Sequence, residues 1–342
     1  MNLFNLRNLW FIKKQMLYPL LFEDNLHELV WGGTKLKPLK GRPADGQPIG
    51  ESWEISDIKE SPSVVKNGPL AGRTLGSLVQ EYGAQLVGQR VFERHGIEFP
   101  LLVKFIDAAH DLSIQVHPND ALSRARHGKL GKTEMWYVMH ADPGASLLAG
   151  LRETLTPDDY ERRVEDGTIV EALARHEVHD GDVFFIPAGR IHAICGGIMV
   201  CEIQQSSDVT YRLFDYHRLG LDGKPRELHT ELAKDAIDFR VLPDYRTRYT
   251  MPQHGLVTVA DCDYFTVNVL KADSCGALQR RLMDEGSFIT LSCLTGTALV
   301  TASGETVNLP TGFSCLIPAD CADFSIQAVG NQPVQLLEAW AK

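Results

Sequence analysis

The chain has no C-x-x-C pair, no long apolar run and no surplus of positive charge. Its seven cysteines, at 195, 201, 262, 275, 293, 315 and 321, are odd in number and irregular in spacing. That predicts reduced, buried thiols in a cytoplasmic protein and excludes a disulfide framework. No apolar stretch reaches the roughly eighteen residues that a membrane-spanning helix needs. The formal net charge of −10 argues against nucleic acid or an anionic membrane surface as partner. An anionic small substrate would need a local cluster of Lys and Arg. Residues 1–16, MNLFNLRNLWFIKKQM, lack the charged start, unbroken apolar centre and small-residue cleavage site of a signal peptide. They read as an upstream extension before a start near Met16, or as a helix that packs on the domain or on a second subunit.

At 342 residues the chain is too long for one small core, and two domains are expected. Residues 17–70 mix apolar residues with glycines and read as short strands between turns. Residues 74–95 read as helix, with Thr74 as N-cap and an interruption at Gly83. From Phe99 the strand signal is strong. PLLVKFID is a buried run. LSIQVH alternates, with Leu112, Ile114 and Val116 on one face and Ser113, Gln115 and His117 on the other. Pro118 ends that strand, and 120–127 reads as a short helix stopped by Gly128. A strand over 132–140 puts Lys132, Glu134 and Trp136 on one face. Thr156 with Pro157 and Asp159, and Thr168 with Glu171, read as two capped helix starts. Strands resume after Gly181. The stretch 217–254 is polar and turn-rich and reads as a connection, with Thr230 capping a helix to Ile237. Short strands return from about Leu256. The expected organisation is an extension (1–16), a first domain (17–216), a connection (217–254) and a second, all-β domain (255–342).

A weak internal repeat supports two copies of one fold. HDGDVFFIPAGRIHAI, from His179, aligns with the segment from Pro310 so that Gly181 meets Gly312 and Ile186-Pro187-Ala188 meets Ile317-Pro318-Ala319. His192 then falls opposite Asp323. Matching Gly144 to Gly296 puts Gly286 opposite Glu134. The second copy keeps the turn grammar and lacks the chemistry.

That chemistry is the set His117, Glu134 and His192, delivered by three separate segments, with Gln115 beside the first. Taken singly, each has a plainer reading: an outward polar pair, a surface glutamate, a satisfied core histidine. Together, two imidazoles and one carboxylate on different strands suit a divalent metal with an open coordination position. Asp208, Thr210 and Arg212 share one face of a strand, where Asp208 would orient Arg212. Lys132, Arg190 and Arg212 are the candidate donors for an anionic substrate.

Gln115-x-His117-Pro118, Lys132-x-Glu134, Pro187-Ala188-Gly189-x-x-His192 and Ser207-Asp208-x-Thr210-Tyr211-Arg212 occur in this order. With Trp31-Gly32-Gly33 and Gly50-Glu51-Ser52-Trp53-Glu54, this pattern resembles the type I mannose-6-phosphate isomerases, and most of all the shorter bacterial members. The resemblance runs over about 17–342. It implies a mainly β protein of two cupin-type (jelly-roll) barrels with a few short helices inserted. It implies one zinc ion per chain on His117, Glu134 and His192, with Gln115 as a fourth ligand in the longer members, and an active-site arginine at Arg212. Lys132 and Glu202 fall at pocket positions. The implied reaction interconverts mannose 6-phosphate and fructose 6-phosphate through a cis-enediolate, whose charge needs a Lewis acid or preorganised donors. Glu202, Lys132 and a zinc-bound water are the candidate proton carriers.

Two other classes fit parts of the pattern. Two histidines and a carboxylate also bind iron for oxygen chemistry, which metal analysis and oxygen uptake would detect. A non-catalytic sugar-phosphate-binding cupin would not need the metal set.

Overall fold

The computed structural model describes residues 16–342 other than 275, 282–285 and 322. The expected N-terminal extension, apart from Met16, therefore lies outside the described residues, as does Cys275.

Strand alternation builds the molecule in layers. Along Leu101–Ala108, Leu101, Val103 and Phe105 enter one core while Ile106 and Ala108 enter another. A strand can do this only when both faces of its sheet are covered. This strand lies in a seven-stranded antiparallel sheet. One face of that sheet packs on a five-stranded sheet through Trp136, Val138, Val200, Leu147 and Ala149. The other meets a six-stranded sheet through Phe105, Ile203, Phe265, Val267 and Leu337. The far face of the six-stranded sheet packs on a four-stranded sheet through Leu291, Leu336, Val300 and Ile326. Helices Pro157–Glu165 and Thr230–Lys234 cover the outside of the five-stranded sheet. Two sheet pairs thus stand back to back, and among the described residues no sheet closes on itself in its strand pairing. Two short strands tie the pairs together. Leu20–Leu21 pairs with Cys315 and Leu316 of the six-stranded sheet. Arg246–Thr247, from the stretch read as a connection, pairs with Val183 and Phe184 of the seven-stranded sheet.

Local capping follows the sequence in most places. Thr74 accepts from Ser77 N–H at the start of Leu75–Tyr82, and Gly83, at φ 51°, ends that helix. Asn119 caps Asp120–His127, with Gly128 left-handed at its end. Thr156 and Asp159 form the reciprocal capping box. Thr168 does not. Its side chain caps nothing, and Ile169–Ala172 is a single 3-10 turn that runs straight into the strand Leu173–Glu177. Thr230 is the first helical residue, not a cap, and its helix stops at Lys234.

Strand registers revise the internal repeat. Glu134 pairs with Ile186, and Ile289 pairs with Ile317. If Ile186 corresponds to Ile317, the counterpart of Glu134 is Ile289, not Gly286. The stretch from the strand start to the following glycine is longer in the first copy, where Glu134–Ala141 ends short of Gly144, than in the second, where Ile289–Thr295 runs directly into Gly296, so a gapless match from that glycine drifts. Glu202 lies opposite Lys104, and Glu338 lies opposite Asn268. In the second sheet pair, Asn268 and Arg280 donate to Glu338 at 2.7–2.9 Å, so a carboxylate remains there but is neutralised internally.

One ion pair joins the two sheet pairs. The Lys40 ammonium meets Glu54 Oε1 at 2.5 Å and donates to Gly312 O, over the rings of Phe105 and Phe313. The two side chains are 2% and 6% exposed. Removing one partner strands the other charge in a dry interface. Glu54→Ala is expected to destabilise the fold by about 3–5 kcal/mol, while Lys40→Met with Glu54→Leu stays much closer to wild type. Urea unfolding of both variants checks this, and equal losses in the two would refute the ionic account.

Candidate active site

The polar groups sit between the seven- and five-stranded sheets. Glu134 starts the strand Glu134–Ala141, and its even-numbered partners Trp136 and Val138 share the inner face. Across the gap, His192 starts His192–Ile194 and pairs with Gln115 of the strand Ile114–Val116. His117 follows that strand immediately. Its place is fixed by Nδ1, which lies 3.0 Å from Val209 O, while His192 Nδ1 lies 2.8 Å from Arg190 O. Each carbonyl accepts from a ring N–H, so each Nε2 presents its lone pair inward.

Those lone pairs converge. His117 Nε2 is 3.5 Å from Glu134 Oε2, and His192 Nε2 is 3.3 Å from Glu134 Oε1. One ligand atom from each residue falls within 4.8 Å of the others, and all three side chains are buried. Glu134 Oε1 has no hydrogen-bond donor among the described residues, an arrangement costly unless a cation completes it. The Lys132 ammonium already acts as a partial stand-in, 2.6 Å from Glu134 Oε2 and 3.1 Å from His117 Nε2. Burial, with Lys132 adding to it, pushes His117 far below the usual imidazole range. Burial likewise pushes His192 down to about 3. Both rings are neutral near pH 7, as metal ligands must be. Oxygen with two imidazoles suits zinc or a neighbouring first-row ion. Gln115 lies beside the set, its amide nitrogen 3.3 Å from His192 Nε2. Rotating the amide would turn its oxygen to the same point.

A cavity of about 330 Å³ lies beside this cluster, which reaches its wall through its neighbours Gln115 and Lys132 and not through His117, Glu134 or His192. Gln115, Lys132, Trp136 and Glu202 line one part of its wall, and Asp208, Thr210 and Arg212 another. Glu202 accepts from Trp136 Nε1 at 2.8 Å through Oε2, while Oε1 is buried with no hydrogen-bond donor among the described residues. Burial raises Glu202 above the usual carboxylate range, against the pull of Lys132. Lys132 and Lys104 stand 3.9 and 3.8 Å from it.

Two expectations are corrected. Asp208 does not orient Arg212; it is paired with Lys129 at 2.7 Å, at the exposed rim. Arg212 is held instead by Ser113 Oγ at 3.2 Å and Glu227 O at 2.9 Å. Arg190 does not line the cavity. Its guanidinium donates to Phe185 O and stacks on Tyr245, because the turn that aims His192 inward sends Arg190 the other way. Lys104 and Arg226 line the wall and were missed. A lone lysine inside PLLVKFID was a usable signal for Lys104. Arg226, in a polar loop, had none.

Among the described residues this is the one group that suits a metal. One equivalent of tightly held metal per chain is expected, measured by elemental analysis. His192→Ala should stay folded and soluble but lose most of that metal. Full occupancy in His192→Ala, or a second tight equivalent, would overturn the assignment.

Comparison with known proteins agrees with this geometry. The sequence matches the phosphomannose isomerase type I catalytic domain over residues 20–147 and the mannose-6-phosphate isomerase cupin domain over 256–332. The probable mannose-6-phosphate isomerase GmuF of Bacillus subtilis is 34% identical over 91% of this chain and 97% of its own. Mannose-6-phosphate isomerase ManA of the same organism is 34% identical over 90% and 96%. A crystal structure of the Bacillus subtilis mannose 6-phosphate isomerase superposes with a TM-score of 0.82 at 32% identity, over 94% of this chain and 99% of that one. A putative mannosephosphate isomerase from Archaeoglobus fulgidus, 24% identical over 96% and 99% of the two chains, shares the fold at a TM-score of 0.77. Near-complete coverage at this identity, together with the family's catalytic and cupin domains, means that the chain belongs to the type I phosphomannose isomerase family.

Proposed function

We propose that the protein interconverts mannose 6-phosphate and fructose 6-phosphate, using one zinc ion on His117, Glu134 and His192 with Gln115 beside them. The observation that carries the reading is the pairing of two features. Two neutral imidazoles and a donor-free carboxylate oxygen converge on one point, and Gln115 and Lys132 beside that point line a cavity also walled by Glu202 and Arg212. Bound zinc would supply a non-redox Lewis acid for the sugar oxygens at C1 and C2.

The residues of the chain do the rest. Glu202 takes a proton from one of C1 and C2 and returns it to the other. Its Oε1 accepts no hydrogen bond among the described residues and is buried, and burial raises its affinity for that proton. The Lys132 ammonium lies beside both the metal set and Glu202, where it would offset the charge of the enediolate. Trp136 fixes the Glu202 carboxylate by its indole N–H. Arg212 meets the phosphate end, and Ser113 and Glu227 O keep its fork in one orientation.

In this reading the two sheet pairs are two cupin-type barrels, the first (within 17–216) carrying the metal and the second (255–342) none. The partner is a small phosphorylated sugar. Six described cysteines are free, which fits a reducing, cytoplasmic setting, and no described helix is long and apolar enough to cross a membrane.

A coupled assay of fructose 6-phosphate formation by zinc-loaded protein is the direct test, and no product would overturn the proposal. Glu202→Gln is expected to lower kcat by about 10²–10⁴-fold with metal content unchanged. Wild-type turnover in that variant would remove Glu202 from the proton path. Arg212→Ala should lower kcat/KM by about 10²-fold, and Arg212→Lys should restore only part of it, because the charge returns without the planar fork. If either loss merely tracked lost zinc, the role would be structural.

A further inference from the structure

A second cavity lies in the outer layer of the five-stranded sheet, between the helix Pro157–Glu165 and the chain that follows the strand Tyr211–Phe214. It holds about 560 Å³, more than the cavity beside the metal set and within the range of about 300–1,000 Å³ usual for small-ligand sites. Neither the metal set nor Lys132 or Glu202 lines it. The backbone shapes it. Tyr216 and His217 both take left-handed conformations, at φ 56° and 55°, a strained choice for side chains of this size. They turn the chain, Leu219 bridges Pro225, and the returning stretch faces the helix. Tyr160 of the helix donates to Thr230 O at 3.1 Å and ties the two walls together.

Much of the lining is apolar: Val164, Phe214, Pro225 and Leu228. Leu228 is 47% exposed, so part of an apolar side chain stands in water beside the opening. The charges around this surface are unevenly matched. At the inner end, Asp215 accepts from Arg226 through Nε at 2.7 Å and Nη2 at 2.5 Å, and from Arg218 Nε at 2.9 Å. Both guanidinium groups therefore already have an anionic partner. Glu161 is paired with Lys234. Glu165 and Glu231 also line the cavity, and neither has an ion-pair or hydrogen-bond partner among the described residues. Glu231 stands in the first turn of Thr230–Lys234, where an acid suits the helix dipole. Glu165 is the last residue of its helix, where unsatisfied carbonyls already make the potential negative. The basic residues of that turn do not offset it, because Arg162 and Arg163 pair with Asp159 and Glu153. A cation is favoured at such a place, and the fold supplies none.

We propose that this outer cavity binds an organic cation with an apolar body, an alkylammonium or alkylguanidinium. Glu165 and Glu231 meet its charge, and its chain covers Phe214 and Leu228. A neutral ligand of the same shape leaves both carboxylates unmatched, and an anion is repelled by them, so the wall selects the sign of the charge. The site is independent of the isomerase reading, since it uses neither the metal set nor the groups assigned to proton transfer.

The test is calorimetric titration of the wild-type protein at low salt with hexylammonium, hexan-1-ol and hexanoate. Hexylammonium is expected to bind one site with a Kd on the order of 0.1–1 mM, hexan-1-ol about 10-fold more weakly, and hexanoate not measurably. Glu165→Gln and Glu231→Gln should each weaken hexylammonium about 2- to 5-fold, and the double variant about 10-fold. Leu228→Ser should weaken hexylammonium and hexan-1-ol alike, by about 3- to 5-fold. All three residues are exposed, so the variants should stay folded, which urea unfolding checks. A chelator should leave the affinity unchanged. The proposal is overturned if hexylammonium gives no binding, if hexanoate binds as well as it does, or if the double variant keeps wild-type affinity. Loss of hexylammonium binding on chelation would equally overturn it, by placing the cation at the metal set.

Discussion

Everything at this site depends on keeping charge dry between two sheets. Glu134, Glu202, Lys104 and Lys132 are all buried. A charge there is tolerable only if each ion has an opposite neighbour and its lone pairs or protons are met. The structure answers with alternation: Glu51, Lys104, Glu202, Lys132 and Glu134 form a chain in which each sign follows the other, at 2.6–3.9 Å. The tally does not close. Glu134 Oε1 and Glu202 Oε1 are left without hydrogen-bond donors among the described residues. One faces the two imidazoles and the other the cavity, which is where a cation and a transferable proton would have most effect.

The layered fold makes that chain affordable. Strands Leu101–Ala108, Glu134–Ala141 and Ile198–Gln205 are adjacent in one sheet, so Lys104, Trp136 and Glu202 lie side by side on its inner face. Their odd-numbered neighbours Phe105, Tyr137 and Cys201 form the opposite, apolar face. That face is sealed by the six-stranded sheet of the second unit. The second unit therefore has a physical role even though no metal-binding group occurs among its described residues: it keeps water from the back of the sheet that carries Glu134 and Glu202. Its own inner carboxylate, Glu338, is satisfied by Arg280 and Asn268.

The opposite end of the cavity follows a different logic. Arg212 and Arg226 are half-buried, and burial lowers the proton affinity of Arg212, with Arg226 adding to it. Two like charges held close are unfavourable in the free protein. An anion between them would relieve that repulsion.

The sequence alone determined a good deal. Alternation in LSIQVH and the position of Glu134 in its strand put His117, Gln115 and Glu134 on inward faces, because side-chain direction in a strand is a local, period-two property. Caps at Thr74 and Thr156 were legible for the same reason: capping involves residues three apart. Motif order identified the family. Tertiary structure alone decided the rest. Spacing puts Asp208 and Arg212 on one face of an expected strand, yet the strand begins only at Tyr211 and Lys129, from a distant loop, takes the carboxylate. Arg190 sits two residues from His192 and still points to Tyr245. Ile289 corresponds to Glu134 in the repeat because strand pairing, not glycine spacing, sets the register. Arg226 reaches the cavity through a left-handed turn and a carboxylate eleven residues upstream. In each case the outcome hangs on which partner is nearest across the fold, and no local period in the chain encodes that distance.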